Sequence, residues 1–209
     1  MKKPYRQMLK SVGSAAAIGV LCVFATAPAF ADHITIDFEA LETPGTGLDL
    51  YASPFQIDGF QFTGNFNGSD YLIHQTGSAD FAGSTALTPF RNENQVFSRI
   101  GGGVFDLLSW DYAEFLNDGL AGSATFTGNF AGGGSISATL NSDGVLGFQN
   151  HLFAGFTNLV SVTFNYGGNA RNQFQLDNIR LHTAQAVPEP ATLALLGLGL
   201  AGIGFARRK

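Results

Sequence analysis

Along the middle of the chain, apolar and polar residues alternate. Ser123 to Phe130 sets Ala124, Phe126 and Phe130 on one side and Ser123, Thr125, Thr127 and Asn129 on the other. Ser135 to Asn141 repeats the pattern with Ile136, Ala138 and Leu140 inward, and Ala131-Gly132-Gly133-Gly134 lies between. A period of two on both sides of a glycine run predicts a hairpin of half-buried antiparallel strands. Comparable strands are expected at Ile34 to Glu39, Phe55 to Thr63, Asp70 to Gln75, Gln95 to Ile100, Val104 to Glu114, Leu159 to Tyr166 and Asn172 to His182. Away from the two ends no window sustains a 3.6-residue apolar period. About nine short strands without intervening helices predict an all-β fold, a two-sheet antiparallel sandwich of the jelly-roll kind. The echo of Phe62-Thr63-Gly64-Asn65-Phe66 at Phe126 to Phe130 has no longer self-similarity around it, so it reads as two similar strand ends in one domain.

The ends break the alternation. Lys2, Lys3, Arg6 and Lys10 precede an apolar stretch from Ala15 to Phe24, and Ala29-Phe30-Ala31 offers small residues before Asp32. This is the pattern of a secretory signal-peptide helix, residues 1–31, cut after Ala31. At the other end Val187-Pro188-Glu189-Pro190 enforces an extended entry, Ala191 to Ala206 carries no charge, and Arg207, Arg208 and Lys209 close the chain. Those apolar residues reach about 24 Å as a helix against a hydrocarbon layer of about 30 Å, so length alone leaves a buried helix in competition with a membrane span. The terminal cations favour a single transmembrane helix over about 191–206, with its basic flank on the cytoplasmic side and everything before Val187 outside.

Pro188-Glu189-Pro190, a glycine-rich apolar run and the basic Arg207, Arg208 and Lys209 together resemble the PEP-CTERM sorting signal of exported proteins in Gram-negative, exopolysaccharide-producing bacteria. The resemblance covers residues 187–209. It implies processing by an exosortase at or beside Pro188, Glu189 and Pro190, with the helix as a temporary inner-membrane tether before release to the cell surface or extracellular matrix. Gly197 to Gly202 also spells G-x-G-x-x-G, but such a loop belongs to a βαβ unit and nothing after it would supply the second strand, so its small residues suit close helix packing in a membrane instead.

Removing both ends changes the charge picture. Residues 32–186 hold fifteen Asp and Glu against four Arg and no Lys, a net of −11, while the whole chain stands at −5. Such a domain has little to neutralise a phosphate backbone, which excludes nucleic acid as a partner. The single cysteine, Cys22, lies in the expected signal peptide, so the exported part must be stable without disulfides.

Candidate chemistry gathers where the alternation slips. Phe174 and Leu176 lie on even positions and Ile179 and Leu181 on odd ones, so a bulge at Asp177-Asn178 is needed to keep all four inward. Asp37 and Glu39 share the face opposite Ile34, Ile36 and Phe38. If first and last strands are neighbours, Asp37, Glu39, Asp177 and Asn178 converge, and oxygen ligands without a nearby lysine suit Ca²⁺. The early Asp37-Phe38-Glu39 with the late Leu176 to Leu181 also resembles the ends of jelly-roll carbohydrate-binding modules, which implies a structural calcium at Glu39 and Asp177. The same residues admit a plainer account, in which Asp177 pairs with Arg180 or caps a turn and the early carboxylates face water.

Sugar binding would draw on flat rings, and Trp110 and Tyr112 are the stacking candidates, with Tyr71 and Tyr166 behind them; Trp110 and Tyr112 also share a strand face with Leu108, which suits core packing. A hydrolase finds less support. Asp111 and Glu114 point to opposite faces of a strand, there is no G-x-S-x-G, and His33, His74, His151 and His182 show no metal-binding spacing and read as surface or rim residues. The expected function is a non-enzymatic, exported structural or binding protein of the cell surface or exopolysaccharide, with a secreted hydrolase of extracellular polysaccharide as the alternative.

Overall fold

The computed structural model describes residues 31–64, 69–90, 95–166 and 170–184. Within them the chain forms thirteen strands, two single-turn 3-10 helices and no α-helix. The strands are β1 (Ala31–Ile36), β2 (Leu48–Ala52), β3 (Phe55–Ile57), β4 (Phe60–Thr63), β5 (Ser69–His74), β6 (Ala86–Pro89) and β7 (Gln95–Arg99), followed by β8 (Phe105–Glu114), β9 (Ser123–Phe130), β10 (Ser135–Asn141), β11 (Gln149–Leu152), β12 (Leu159–Asn165) and β13 (Phe174–Ala184). The expected signal peptide, the Pro188-Glu189-Pro190 segment and the apolar helix over about 191–206 lie outside the described residues. No helix among those described is long and apolar enough to cross a membrane.

The β9–β10 hairpin falls where alternation places it, with Asn141 opposite Ser123 and Ser135 opposite Asn129. The expected strand at Phe55 to Thr63 is instead a hairpin. Asp58 and Gly59 both take positive φ, +47° and +78°, so the chain reverses in two residues and Ile57 pairs with Phe60. Asp-Gly is the sequence signal of such a turn.

All ladders are antiparallel and fall into two layers. One runs β2-β5-β6-β13-β8 with β1 beside β13 and β11 beside β8; the other runs β10-β9-β12-β7-β4-β3. Between β12 and β8 the only pairing is Leu159 with Phe105. The layers otherwise meet through their apolar faces, as the sandwich expectation requires. Trp110 of β8 lies 4.8 Å from Phe126 of β9 and 5.8 Å from Phe164 of β12, and Phe105 lies 5.5 Å from Phe60 of β4. These rings are wholly buried, and each buried phenylalanine contributes about 1.5–3 kcal/mol of transfer free energy. With no cysteine among the described residues, this aromatic core is what holds the layers together.

Candidate functional site

The outer face of the first layer carries the residues that the slipped alternation singles out. β13 lies against β8 in register until Asp177, opposite Asp111; the next pairing is Arg180 with Ser109, so β13 holds one extra residue. Asn178 absorbs it with φ of +47°, a left-handed conformation that Asn tolerates. As a result Phe174, Leu176, Ile179 and Leu181 are all fully buried. The bulge also fixes the neighbouring polar groups. Asn178 donates its backbone N–H to Asp177 Oδ1 at 2.7 Å and its side-chain amide to Asp111 Oδ2 at 3.0 Å and Asp177 Oδ2 at 3.2 Å.

β1 pairs with β13, so the terminal strands are neighbours. β1 ends at Ile36, however, and Glu39 opens a 3-10 turn instead of sharing a strand face with Asp37. From that turn Glu39 Oε1 accepts the Thr85 N–H at 3.2 Å and lies 2.5 Å from Ser84 Oγ, which is itself 2.6 Å from Asp177 Oδ2. Glu39, Asp177 and Asn178 are therefore brought together. Asp37 is exposed and takes no part in these bonds. Asp111 joins instead, its other oxygen accepting from the Asn150 amide at 2.6 Å.

Ser84 has one hydroxyl hydrogen and two short carboxyl contacts. Both are satisfied when Asp177 carries a proton and donates to Ser84, which donates to Glu39. Burial pushes the Asp177 carboxyl above the usual range, and the charges of Glu39 and Asp111 push the same way against the Ser84 and Asn178 hydrogen bonds. A calcium cage asks for six to eight converging oxygens. Here the carboxylates are each turned onto Ser84, Asn178 or Asn150, and among the described residues no set of three or more acidic, histidine or cysteine side chains is disposed to hold a metal ion. As arranged, the cluster fits a shared proton and does not fit Ca²⁺.

The stacking candidates are corrected outright. Trp110 is fully buried, its ring between Phe126 and Phe153 at 4.8 and 4.5 Å, and Tyr112 packs on Phe174 at 5.3 Å with its hydroxyl within donating distance of either Asn141 O at 3.2 Å or Gln149 Oε1 at 3.1 Å. Tyr71 and Tyr166 are buried as well. A sugar ring has no access to any of them. Among the described residues no Phe, Tyr or Trp is exposed, although Tyr51, Phe81, Phe90, Phe130 and Phe148 are half-buried.

Asp111 and Glu114 diverge as their spacing dictates. Asp111 faces the cluster, whereas Glu114 is buried, raised by desolvation, and accepts the Gly144 N–H at 3.2 Å. Nothing there resembles two carboxyl groups across a cleft. One histidine departs from the surface expectation, and two that keep to it meet each other. His74 is fully buried, while the β1–β13 register sets His182 Nε2 2.9 Å from His33 Nδ1, a meeting invisible without the strand pairing.

The chain's last residues, 186–209, match the PEP-CTERM protein-sorting motif. No curated protein matches the chain in sequence. Among solved structures it is similar in shape to a family 29 carbohydrate-binding module (10% identity, 77% of this chain and 100% of that one, TM-score 0.41). It is also similar to a family 61 module, TmCBM61, solved with β-1,4-galactotriose (14% identity, 70% and 94% covered, TM-score 0.41). A third is the CBM22-1 xylan-binding domain of a Paenibacillus barcinonensis protein (12% identity, 77% and 100% covered, TM-score 0.35).

Proposed function

We propose that this is an exported protein of the cell surface or extracellular matrix, tethered by its C-terminal helix, processed by an exosortase beside Pro188, Glu189 and Pro190, and serving there as a polysaccharide-associated binding or structural component. The observation that carries the reading is the sorting motif at residues 186–209, attached to a β-sandwich and preceded by an export-type N-terminus. A net charge of −11 over residues 32–186 supports it, because such a domain repels nucleic acid and anionic membrane surfaces and leaves neutral polymers and cations as partners. Binding without chemistry is the reading favoured by the divergence of Asp111 and Glu114.

The test is retention of the detergent-solubilised full chain on exopolysaccharide from a producing strain, with polymer length followed over time. Retention with unchanged length is the expected result. Release of reducing ends would replace the binding reading with the hydrolase one, and absence of retention would remove the polysaccharide partner.

A further inference from the structure

The two layers differ in charge. Of the acidic residues that lie in strands, Asp32, Asp49, Asp70, Asp177 and the three on β8 (Asp106, Asp111, Glu114) all belong to the first layer. The second layer, β10-β9-β12-β7-β4-β3, contains no Asp, Glu or Lys in any strand. Its single cation, Arg99, sits at the end of β7 at an inward position and donates to Val104 O at 3.3 Å. No short run of sequence shows this segregation, because the six strands come from four separate stretches of the chain.

What the second layer turns outward is hydroxyl and amide. Strand register sets Ser137, Thr127, Thr163, Val96 and Thr63 side by side across five strands. A flanking row aligns Ser135, Asn129 and Ser161, and on the far strands Ser98 aligns with Gln61 and Gln56. These side chains are half-exposed or exposed. Neighbouring strands lie about 4.8 Å apart and alternate residues about 6.8 Å, so the face is a regular grid roughly 24 Å wide.

The groups of the grid lean on one another without being used up. Thr127 and Ser137 hydroxyls lie 2.9 Å apart, Thr125 and Thr139 3.3 Å, and in both pairs either oxygen is able to donate. The Asn129 amide donates to Ser161 at 3.0 Å and Thr163 at 3.2 Å. Each hydroxyl has one hydrogen and two lone pairs, so every pair keeps acceptor capacity free and reverses direction by rotation. A surface of that kind meets an incoming hydroxyl as donor or as acceptor.

We infer that the outer face of the second layer binds a neutral polysaccharide chain lying across the strands through its hydroxyls. The inference rests on the polysaccharide reading above and names the class and the face. Charge argues for this occupant: a polyuronate would approach a domain of net −11 with no cation on the face to meet it, whereas a neutral polymer meets no repulsion. The chemistry of the face argues against a protein partner, since stable protein interfaces centre on aromatic, methionine or arginine anchors and here the apolar exceptions are Val96 and Val160. The outward positions of this face carry no aromatic ring, so affinity comes from many exchangeable hydrogen bonds, each contributing little net of water. Binding should therefore be weak per sugar, strengthen with polymer length and ignore salt.

The experiment is affinity electrophoresis of the detergent-solubilised full chain through gels containing soluble β-glucan, galactan or mannan, or a polyuronate of matched length. The double variant Thr127→Val with Thr163→Val removes two hydroxyls while keeping shape and strand propensity. Thr35→Val, at an exposed position of β1 in the first layer, is the control, and Trp110 fluorescence confirms folding of each. Expected are retardation by at least one neutral polymer, undiminished between low and about 0.5 M salt where charge attraction is screened, a dissociation constant weakened about tenfold or more in the double variant, and no change in the control. Retardation surviving intact in the double variant, or lost equally in the control, would overturn the face while leaving a polysaccharide-binding protein. Preference for the polyuronate would overturn the neutral ligand. Retardation by none of the polymers, together with no retention on native exopolysaccharide, would overturn the binding reading itself.

Discussion

His74 offers a prediction whose size follows from its burial. The side chain sits on β5 with no solvent exposure, its ring 5.7 Å from Phe115 and both nitrogens without a hydrogen-bond partner. Desolvation, partly offset by Asp80, holds the imidazole at about 4, whereas in the unfolded chain it titrates near 6.5. A group depressed on folding contributes stability that is present above 6.5 and lost as pH falls toward 4. The slope reaches about 1.4 kcal/mol per pH unit, which amounts to about 2 kcal/mol between pH 7 and 4.5. Glu114 and Asp177 are shifted upward and act in the opposite sense, gaining stability as pH falls. A paired comparison cancels them. His74→Leu removes the titration with little change of volume and breaks no hydrogen bond. Urea unfolding followed by the single tryptophan, Trp110, should show the variant losing about 2 kcal/mol less than the parent between pH 7 and 4.5. Parallel losses in the two proteins would refute the reasoning.

Three other outcomes are checked by melting curves. Ser84→Ala leaves Glu39 and Asp177 facing each other without the hydroxyl between them and should cost about 1–2 kcal/mol, more at pH 8 than at pH 4 because the Asp177 carboxyl, raised by burial, loses its proton as pH rises; equal cost at both values would count against the shared proton. Added Ca²⁺ at pH 7 should leave the melting temperature unmoved, and a rise abolished by Asp177→Ala would restore calcium to the cluster. Gly128→Ala should destabilise by about 1–3 kcal/mol through overpacking, because a Cβ there meets Leu159 Cδ2 and Phe156 Cδ1 at 2.9 Å; an unchanged melt would show that those side chains yield freely.

The parts of the fold legible beforehand were those written in local alternation. The β9–β10 hairpin followed from a period of two around a glycine run, and the bulge at Asp177-Asn178 from apolar residues changing parity. Asp58-Gly59 was equally visible as a turn but sat within an expected strand. β6 carries no alternation at all, since its four residues are buried on both faces, and β11 is only four polar-rich residues long. The candidate site was legible only in part. Glu39 and Asp177 meet, but the place of Asp111 depends on β8 register, the loss of Asp37 on where β1 ends, and Ser84 on a loop that no periodicity marks. Trp110 shows the same limit, because a strand position says that a ring is inward or outward but not which layer closes over it. The neutral face needed the whole topology, since six strands had to be assembled before their shared absence of carboxylates became a property of one surface.

The most direct measurement of the whole account is the intact mass of the protein recovered from the surface or matrix of a producing strain. A chain that begins at Asp32 and ends near Pro188-Glu189-Pro190, without Arg207, Arg208 and Lys209, is the predicted result. Full-length protein, both ends uncut and confined to the cytosol, would contradict it.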